Sequence, residues 1–297
     1  MKIIIAGGTG FLGENLEKYF TGKGNEVYIL TRNPKRKNEI FWNAKTLDHW
    51  KNELENADVL INLAGKSVDC RYTEKNRKEI FESRIYSTRI LQQALNECQD
   101  PPKIWMNASS ATIYIHSETH RNTEQNGIIG DDFSMNICKS WEKEFFEVKN
   151  KNIRKIALRT SIVLGKNGGA FPKFLQVSKI GLGGKQGLGN QFVSWIHIDD
   201  FCRAVNFIIE NENLQGAVNI TAPNPLSNKE MMQKIESKTN AFLVLNSSVL
   251  LLEIGALFLK TETELMLKSR NVYPEKLLEN YFRFKFPDFN VALNNLI

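Results

Sequence analysis

Cysteine is scarce in this chain, which has only four among its 297 residues, all widely separated. No Cys-x-x-Cys pair is present, so the spacing typical of a zinc site or of a dense disulfide framework is missing. We therefore expect reduced, mostly buried thiols and no bound metal. The four are Cys70, Cys98, Cys138 and Cys202.

Long apolar runs are missing as well. No stretch approaches the ~20 apolar residues that a membrane-spanning helix needs. The start, MKIIIAGGTG, reaches glycine too early to form the core of a signal peptide. With 42% hydrophobic residues, 24% charged residues and only 8 prolines, the composition is typical of a soluble globular protein. We expect a cytoplasmic protein that does not bind a membrane.

A long basic tail is the third absence, although the formal net charge is +6. The positive charge lies in short clusters, such as Lys35–Lys37 and Lys75–Lys78, without interleaved aromatic residues. This pattern does not favour nucleic-acid binding. An anionic small ligand would account for part of the charge, and solvated surface for the rest.

Short β-branched runs alternate with longer helical patterns through the first two-thirds of the chain. This order predicts an α/β fold, a doubly wound parallel sheet of the Rossmann type with helices on both faces. Near-continuous apolar strands agree with that fold, because parallel strands are covered on both sides. The predicted strands are residues 2–6, 26–31, 58–63, 103–109 and 154–160.

The pattern becomes mainly helical beyond about residue 221, with SSVLLLEIGALFLK (247–260) as its strongest stretch. We predict a Rossmann domain over residues 1–220 and a smaller, mainly helical lobe on the substrate side over residues 221–297. Between residues 181 and 189, five glycines occur in nine positions. They predict a loop that is costly to order unless something binds there.

The motif GGTGFLG follows the first predicted strand and precedes a predicted helix over residues 11–23. In a dinucleotide-binding unit, glycines allow a sharp turn, close approach of the backbone to the pyrophosphate, and tight helix–strand packing. The anion lies at the positive end of the helix. The alternative is a glycine-rich turn without a ligand. The predicted cofactor-binding residues of the motif are Gly7, Gly8, Thr9, Gly10, Phe11, Leu12 and Gly13.

The residues after the second strand indicate which dinucleotide is bound. NAD-binding units usually carry Asp or Glu about 20 residues after the glycines, to hold the ribose hydroxyl. Here that place is occupied by Thr31 and Arg32. A guanidinium can bind the extra phosphate of NADP(H) through two hydrogen bonds, and Thr31 can donate its hydroxyl. The sequence therefore favours NADP(H) over NAD(H), unless Arg32 is only a surface residue.

Five motifs together resemble the extended branch of the short-chain dehydrogenase/reductase superfamily. They are GGTGFLG (7–13), NLAG (62–65), SSATIY (109–114), RTSIVLG (159–165) and SWIHIDD (194–200). GLGGKQGLGNQFVSWIHIDD, NITAPNP and SRNVYPEKLLENYFRFKFPDFNVAL are similar to an atypical, epimerase-like family often labelled nucleoside-diphosphate-sugar epimerase, including its characteristic C-terminal domain. The resemblance covers nearly the whole chain and implies an epimerase-like fold without naming a substrate.

The resemblance implies further cofactor contacts at Leu63, Ala64, Gly65, Glu79, Arg84 and Val163. Leu63 and Ala64 would line the adenosine side, and Val163 would contact the nicotinamide end. Glu79 and Arg84, on a helix that begins near Thr73, would lie within reach of the cofactor. The alternatives are a solvated helix face for Glu79 and Arg84 and a core position for Val163.

The catalytic residues of the extended enzymes are a Ser or Thr, a Tyr, and a Lys four residues after the Tyr. Here Ser110 matches the serine and Lys139 the lysine, but Met135 stands where the tyrosine is expected. Methionine cannot carry a proton. Tyr114 is the nearest substitute, with the alternative that its ring packs and its hydroxyl bonds locally.

Two histidine patterns have a weaker meaning. HSETH (116–120) lacks the spacing of a zinc protease helix, so no metal is expected there. In SWIHIDD, the positions Trp195, His197 and Asp199 alternate as in a half-buried strand. A substrate role for Trp195 or His197 stays open.

These observations predict an NADP(H)-dependent oxidoreductase or epimerase-like enzyme. The cofactor would lie in the glycine loop, and a small-molecule substrate in a cleft below the C-terminal lobe. The rival is a non-catalytic NADP(H)-binding sensor or partner-binding protein, for which Met135 is the main argument. The oligomeric state does not follow from the sequence.

Overall fold

The computed structural model describes residues 1–147, 153–239, 244–250, 252–253 and 262–297. Most of the predicted helical stretch 247–260 therefore lies outside the described residues. The strands are β1 (Lys2–Ala6), β2 (Glu26–Thr31), β3 (Glu39–Phe41), β4 (Val59–Asn62), β5 (Ile104–Ser110), β6 (Arg154–Thr160), β7 (Ile162–Gly165), β8 (Gly168–Gly169), β9 (Phe192–Val193), β10 (Trp195–His197), β11 (Gly216–Ile220) and β12 (Leu226–Ser227).

The helices alternate with these strands as the sequence predicted. They are α1 (Phe11–Gly22), α2 (Glu74–Glu97), α3 (Phe133–Glu147), α4 (Phe171–Val177), α5 (Ile198–Glu210), α6 (Asn228–Glu236), α7 (Glu264–Leu267), α8 (Glu275–Glu279) and α9 (Phe289–Leu296). Tighter helical turns cover His49–Leu54 and Ala111–Ile113. Among the helices of the described ranges, none is both long enough and apolar enough to cross a membrane.

The central sheet has seven strands in the order β11-β6-β5-β4-β1-β2-β3, and all neighbouring pairs are parallel. The predicted doubly wound α/β fold is thereby confirmed. Two of its strands, β3 and β11, were not predicted. β3 is only three residues long, and β11 (GAVNI) contains a glycine and an asparagine, so neither shows an apolar run.

Helices cover both faces of this sheet, and alternate residues of each strand face opposite layers. Ile3 and Ile5 of β1 pack in one cluster with α1 and α5, whereas Ile4 packs in a second cluster that includes α2 and α3. All three isoleucines are fully buried. Each such side chain contributes about 1.5–3 kcal/mol relative to an exposed one. This packing brings the carboxyl ends of β1, β2, β4 and β5 to one edge.

A second, smaller structure lies beyond that edge. It contains a three-stranded sheet in the order β10-β7-β8 and the antiparallel pair β9–β12. Phe171 and Trp195 share one hydrophobic cluster with Phe289 and Leu293 of α9. Conversely, Leu277 from the C-terminal part of the chain packs in the cluster of α1 and α5. Residues before and after position 220 thus share cores, and the boundary there stays a prediction.

The prediction of an alternating strand through Asp199 is wrong. Strand β10 ends at His197, its three residues are all buried, and α5 begins at Ile198. His197 caps this helix, because its Nδ1 accepts a hydrogen bond of 3.1 Å from the backbone N–H of Asp199. Two carboxylates in the first turn suit the positive end of a helix. The helix cap and the two acidic residues therefore favour a helix start here, although the two-residue periodicity indicates a strand.

The glycine-rich segment is only partly a loop. A wide helical turn covers Ser178–Leu182, so the irregular stretch begins at Gly183. Gly181, Gly187 and Gly189 have φ of 82°, 62° and 80°, values that only glycine adopts readily. The backbone N–H groups of Gly184 and Gly187 donate to the carbonyls of Leu245 and Ser247, so protein contacts hold this segment.

Candidate functional site

The glycine loop contains two glycines that the fold itself requires. Gly7 has φ +72°, and a Cβ there would lie 2.8 Å from Ala64 Cα. A Cβ on Gly13 would lie 2.3 Å from the carbonyl oxygen of Gly8. The first contact arises where the chain turns after β1, next to the loop that follows β4. The second arises because α1 packs closely on the glycine loop. Both agree with the predicted roles.

Gly10 differs from these glycines, because its Cβ would meet no atom within 4 Å. It is the N-cap residue of α1, and no side chain caps the helix there. The first turn of α1 therefore has backbone N–H groups that no capping side chain occupies. Uncapped N–H groups and the helix dipole together make a site for an anion such as a pyrophosphate.

Phe11 has a structural contact that the sequence did not reveal. Its ring lies against the β7–β8 hairpin, where a Cβ on Gly165 or Gly168 would come within 2.4 Å of ring atoms. Leu12 is half-buried against the cluster of α1 and α5. The structure thus gives Phe11 a packing role between α1 and the second sheet, beside its predicted place in the cofactor loop.

Arg32 follows β2 directly and is exposed. Within the described ranges, its side chain makes no hydrogen bond and no ion pair. Nearby Arg36, by contrast, pairs with Glu17 at 2.8 Å and Glu39 at 2.7 Å. Hydrogen bonding by the Lys35 backbone, and then by Arg36, lowers the pKa of the Glu39 carboxyl. The Arg36 guanidinium is therefore already paired with carboxylates, whereas the Arg32 guanidinium is available to bind an anion.

A buried amide pair holds the turn after β4. The backbone N–H of Ala64 donates to Asn62 Oδ1 at 3.0 Å, and Asn62 Nδ2 donates to Asn107 Oδ1 at 2.7 Å. The N–H of Leu63 donates to the carbonyl of Ala6 at 2.8 Å. Asn62 and Asn107 orient this turn toward the glycine loop. Sequence reasoning missed both, although Asn62 begins the NLAG motif.

Arg84 lies under this turn, where a Cβ on Gly65 would come within 3.2 Å of its Cζ. Its Nη1 donates to the carbonyls of Lys66 (3.0 Å) and Ile80 (2.9 Å), and its guanidinium lies 5.0 Å from the Trp141 ring centroid. Burial lowers the pKa of this arginine. Arg84 thus lies next to Gly65 of this turn, and its contact with the cofactor stays a prediction.

Glu79 and Val163 have more ordinary surroundings. The Glu79 carboxylate pairs with Lys66, and its side chain is 41% exposed. Val163 lies within β7 and belongs to the cluster of α1 and α5. Glu79 thus lies on a solvated helix face and Val163 in a core, which are the alternatives to their predicted cofactor contacts.

The three predicted catalytic side chains are not brought together as a proton relay. Ser110 ends β5, and its hydroxyl bonds Thr112 Oγ1 at 2.8 Å. Met135 is buried on α3 against Gly130, whose Cβ would lie 2.0 Å from the Met135 sulfur. Lys139 follows one turn later and is exposed, with no side-chain partner among the residues described. The helical spacing of Met135 and Lys139 matches the family, but no phenol is present there.

Tyr114 occupies a fully buried position with both hydrogen-bonding functions of its hydroxyl in use. The hydroxyl donates to Asn219 Oδ1 at 2.9 Å and accepts from Arg159 Nη1 at 2.8 Å. Burial raises its pKa more than Arg159 lowers it. The structure therefore favours the packing alternative over a catalytic phenol.

Arg159 is also the centre of a buried ion pair. Its Nε and Nη2 donate to the two carboxylate oxygens of Glu142 at 2.9 and 2.7 Å, and Ser109 Oγ donates to Glu142 Oε1 at 2.6 Å. Both side chains of the pair are 11% exposed. Such a bidentate pair joins α3 to β6 and β5 beneath the candidate site.

A small cleft of about 40 Å³ opens on the second structure, between β7, α6 and the segment before α8. Its walls are mainly apolar, and Lys268 and Arg270 are its cations. Lys268 pairs with Glu264 at 3.1 Å and with Asp132. Asp132 Oδ1 in turn accepts from the Met135 backbone N–H at 2.9 Å. The cleft is thereby connected to the start of α3.

Three of the four histidines make contacts with the surrounding backbone or with an aromatic ring. His116 Nδ1 accepts from the Ser269 backbone N–H at 2.9 Å, and His120 Nε2 lies 3.2 Å from the Asn126 carbonyl oxygen. His197 is buried with its ring centroid 3.9 Å from that of Phe286. Each of these rings has a contact that stabilises the fold.

A parallel Rossmann sheet with a glycine turn leading into an uncapped helix defines a dinucleotide-binding fold of the dehydrogenase/reductase type. The sequence profile of the NAD dependent epimerase/dehydratase family matches residues 3–221, and a domain of unknown function, DUF1731, matches residues 251–296. The chain belongs to the NAD dependent epimerase/dehydratase family. The predicted resemblance is thereby confirmed.

One curated relative and two solved structures support this assignment. The chain is 34% identical to the epimerase family protein YfhF of Bacillus subtilis, across 100% of this chain and 98% of the relative. A crystal structure of the human epimerase family protein SDR39U1 with NADPH superposes with a TM-score of 0.89 at 28% identity, covering 100% and 99% of the two chains. A nucleoside-diphosphate sugar epimerase of Corynebacterium glutamicum gives 0.81 at 26%, covering 99% of this chain and 57% of that one.

Proposed function

We propose that this chain binds NADP(H) in the glycine loop and is an atypical short-chain dehydrogenase/reductase, an oxidoreductase or epimerase-like enzyme acting on a small molecule. The observation that carries the proposal is the exposed guanidinium of Arg32, which has no hydrogen-bond or ion-pair partner among the described residues. Arg32 follows β2, the strand next to β1 and its glycine loop. The human relative, which shares the fold over its whole length, was crystallised with NADPH.

The residues present fit this cofactor. The N–H groups at the start of α1 would hold the pyrophosphate, and Arg32 with Thr31 would hold the extra phosphate. The turn at Leu63 and Ala64, fixed by Asn62, would line the adenosine side. When bound, the nicotinamide supplies or accepts a hydride. Ser110, at the end of β5, is the group that would orient a substrate oxygen.

Arg32→Ala tests the cofactor assignment. We expect the variant to lose NADPH affinity by about 10- to 100-fold, since a charge-assisted hydrogen bond contributes about 1.5–3 kcal/mol, and to keep its NADH affinity. Lys37→Ala removes the same charge from an exposed neighbour and should change both affinities little. Fluorescence titration of NADPH and NADH against the three proteins measures this. Equal wild-type affinities, or NADPH binding unaffected by Arg32→Ala, would refute the proposal.

A non-catalytic cofactor-binding protein is the second candidate, and one observation favours it. Met135 replaces the expected phenol, while the Tyr114 hydroxyl is already bonded to Arg159 and Asn219. Turnover of NADPH with a panel of carbonyl compounds and nucleotide sugars distinguishes the candidates. Turnover that Ser110→Ala abolishes would support the enzyme. Tight NADPH binding without turnover across the panel would support the sensor.

A further inference from the structure

We infer that residues 66–72, here called the strap, are held across the entrance of the cofactor site by a surface ion pair between Asp69 and Lys173. Opening of this pair sets the rate at which NADP(H) enters and leaves. The inference rests on the proposed function, because it takes the glycine loop as the place where the cofactor binds. It adds a control of cofactor exchange that neither the glycine motif nor the family relationship contains.

The first end of the strap is fastened to α2. The backbone N–H of Lys66 donates to Ser83 Oγ at 2.9 Å, and its carbonyl accepts from Arg84 Nη1 at 3.0 Å. The Lys66 ammonium group also donates to Asn76 Oδ1 at 2.8 Å and pairs with Glu79. These contacts fix the chain directly after the turn that follows β4.

The second end of the strap is fastened to the start of α2 and to the C-terminal part of the chain. Asn76 Nδ2 donates to the carbonyl of Arg71 at 2.7 Å. Arg77 Nε donates to the carbonyl of Tyr72 at 2.9 Å. Glu262 Oε1 accepts from the Tyr72 backbone N–H at 2.6 Å, and Glu262 Oε2 lies 3.4 Å from Arg71 Nη1. Both ends are therefore anchored, and the chain between them forms an arch.

The arch consists of residues 67–70, none of which belongs to a helix or strand. The Cys70 backbone N–H donates to the carbonyl of Val68 at 2.9 Å, so a three-residue turn is centred on Asp69. The Asp69 carboxylate pairs with the ammonium group of Lys173 on α4. The two side chains are 42% and 67% exposed, so water competes for both charges. An exposed pair of this kind contributes little to stability and opens readily.

This ion pair bridges the two sides of the glycine loop. On one side, Ala64 precedes the strap, and a Cβ on Gly7 would lie 2.8 Å from the Ala64 Cα. On the other side, a Cβ on Gly169 of β8 would lie 2.9 Å from the Phe11 ring. Lys173 follows Gly169 by four residues, in the first turn of α4. A dinucleotide that reaches the glycine loop between these two sides therefore has to pass the strap.

The weakness of the ion pair suits a gate. A loop that closes over a bound cofactor has to open at each exchange, and in many enzymes such opening limits release. Because the pair joins two protein groups, its loss changes how often the strap opens more than how strongly the cofactor is held. The expected signature is therefore kinetic. Association and release both become faster, and the dissociation constant stays nearly the same.

Asp69→Asn and Lys173→Met each remove one partner of the ion pair. We expect each variant to raise the association and release rates of NADPH by about 2- to 5-fold and to change the dissociation constant by less than about twofold. Stopped-flow fluorescence of NADPH with the full chain measures both rates. The two substitutions change the net charge in opposite directions, so a general electrostatic effect on the anionic cofactor would change the rates in opposite directions.

Two further variants are controls. Lys51→Met removes a partly exposed lysine from a surface pair with Glu97, in the turn His49–Leu54, and should change both rates little. Exchange of the two partners, Asp69→Lys together with Lys173→Asp, should return the rates toward the wild-type values. Thermal unfolding of each variant confirms that it is folded.

The outcomes separate the strap from the proposed function. If the wild type does not bind NADPH, both are refuted. If NADPH binds but Asp69→Asn and Lys173→Met leave the rates unchanged, or change them in opposite directions, the strap is refuted and the proposed function stands. A dissociation constant that rises in proportion to the release rate would show direct contact with the cofactor instead of a gate, and would also overturn the inference.

Discussion

The glycines of the glycine loop have different roles, and the motif alone does not show which glycine has which role. Gly13 is required by packing, because a Cβ there would strike the Gly8 carbonyl oxygen at 2.3 Å. Gly10 has open space on the same test. A glycine that the fold does not need is best explained by the approach of a ligand.

Gly13→Ala and Gly10→Ala should therefore affect different properties, the first stability and the second NADPH binding. Gly13→Ala should lower the free energy of unfolding by about 1–3 kcal/mol, because the backbone must shift to relieve the contact. Gly10→Ala should keep the stability but weaken NADPH binding by about tenfold or more, since its methyl group would stand where the pyrophosphate approaches. Urea denaturation and NADPH titration measure the two quantities. Wild-type NADPH affinity in Gly10→Ala would contradict this account.

At the same scale, the sequence and the structure agree on Met135 and differ on Tyr114. The absence of a phenol at position 135 follows from residue identity and helical spacing. The hydrogen bonding of Tyr114 does not follow from the sequence, because its partners Arg159 and Asn219 are 45 and 105 residues away. Only packing shows that its hydroxyl is already occupied.

Among the elements, α5 shows how a helix start can connect distant segments. Asp200, in its first turn, is fully buried and accepts from Arg203 Nη1 (2.6 Å) and from the backbone N–H groups of Lys285 (2.9 Å) and Phe286 (2.7 Å). One carboxylate thus holds the segment before α9 against α5. The neighbouring Asp199 has only a surface contact with Lys285, at 3.5 Å.

Asp200→Ala should destabilise the protein by about 3 kcal/mol, because it leaves two backbone donors and a guanidinium without their acceptor. Asp199→Ala is the matched control and should cost less than about 1 kcal/mol, as expected for an exposed pair. Chemical denaturation of both variants gives the two differences. Similar values for the two substitutions would show that the Asp200 contacts do not stabilise the fold.

For the whole molecule, the shared cores matter more than the change of pattern near residue 221. The cluster around Trp195 includes Phe289 and Leu293, and the cluster of α1 and α5 includes Leu277 and Phe282. A cut between the two predicted domains would open both clusters. The cleft that Arg270 lines is formed by residues from both sides of position 220.

Residues 1–220 alone should therefore fail to form a cooperative structure. Without residues 221–297, buried side chains such as Phe171 and Trp195 would be exposed, and apolar patches of this kind favour aggregation. Near-UV circular dichroism and size-exclusion chromatography, with the full chain as reference, test this. A monomeric fragment that unfolds cooperatively would show that residues 1–220 are an independent domain.

The sequence by itself determined five of the seven strands of the central sheet, the glycine loop, the basic residue after β2 and the missing phenol. Each of these depends on residue type and on spacing within one or two neighbouring elements, where hydrogen bonding and burial repeat with the period of a helix or strand. Tertiary structure alone decided the partners. Asn62 meets Asn107, Arg159 meets Glu142, and Asp200 meets the backbone of Phe286 because segments far apart in the chain pack together. No local pattern in the sequence shows which distant group each of these side chains will contact.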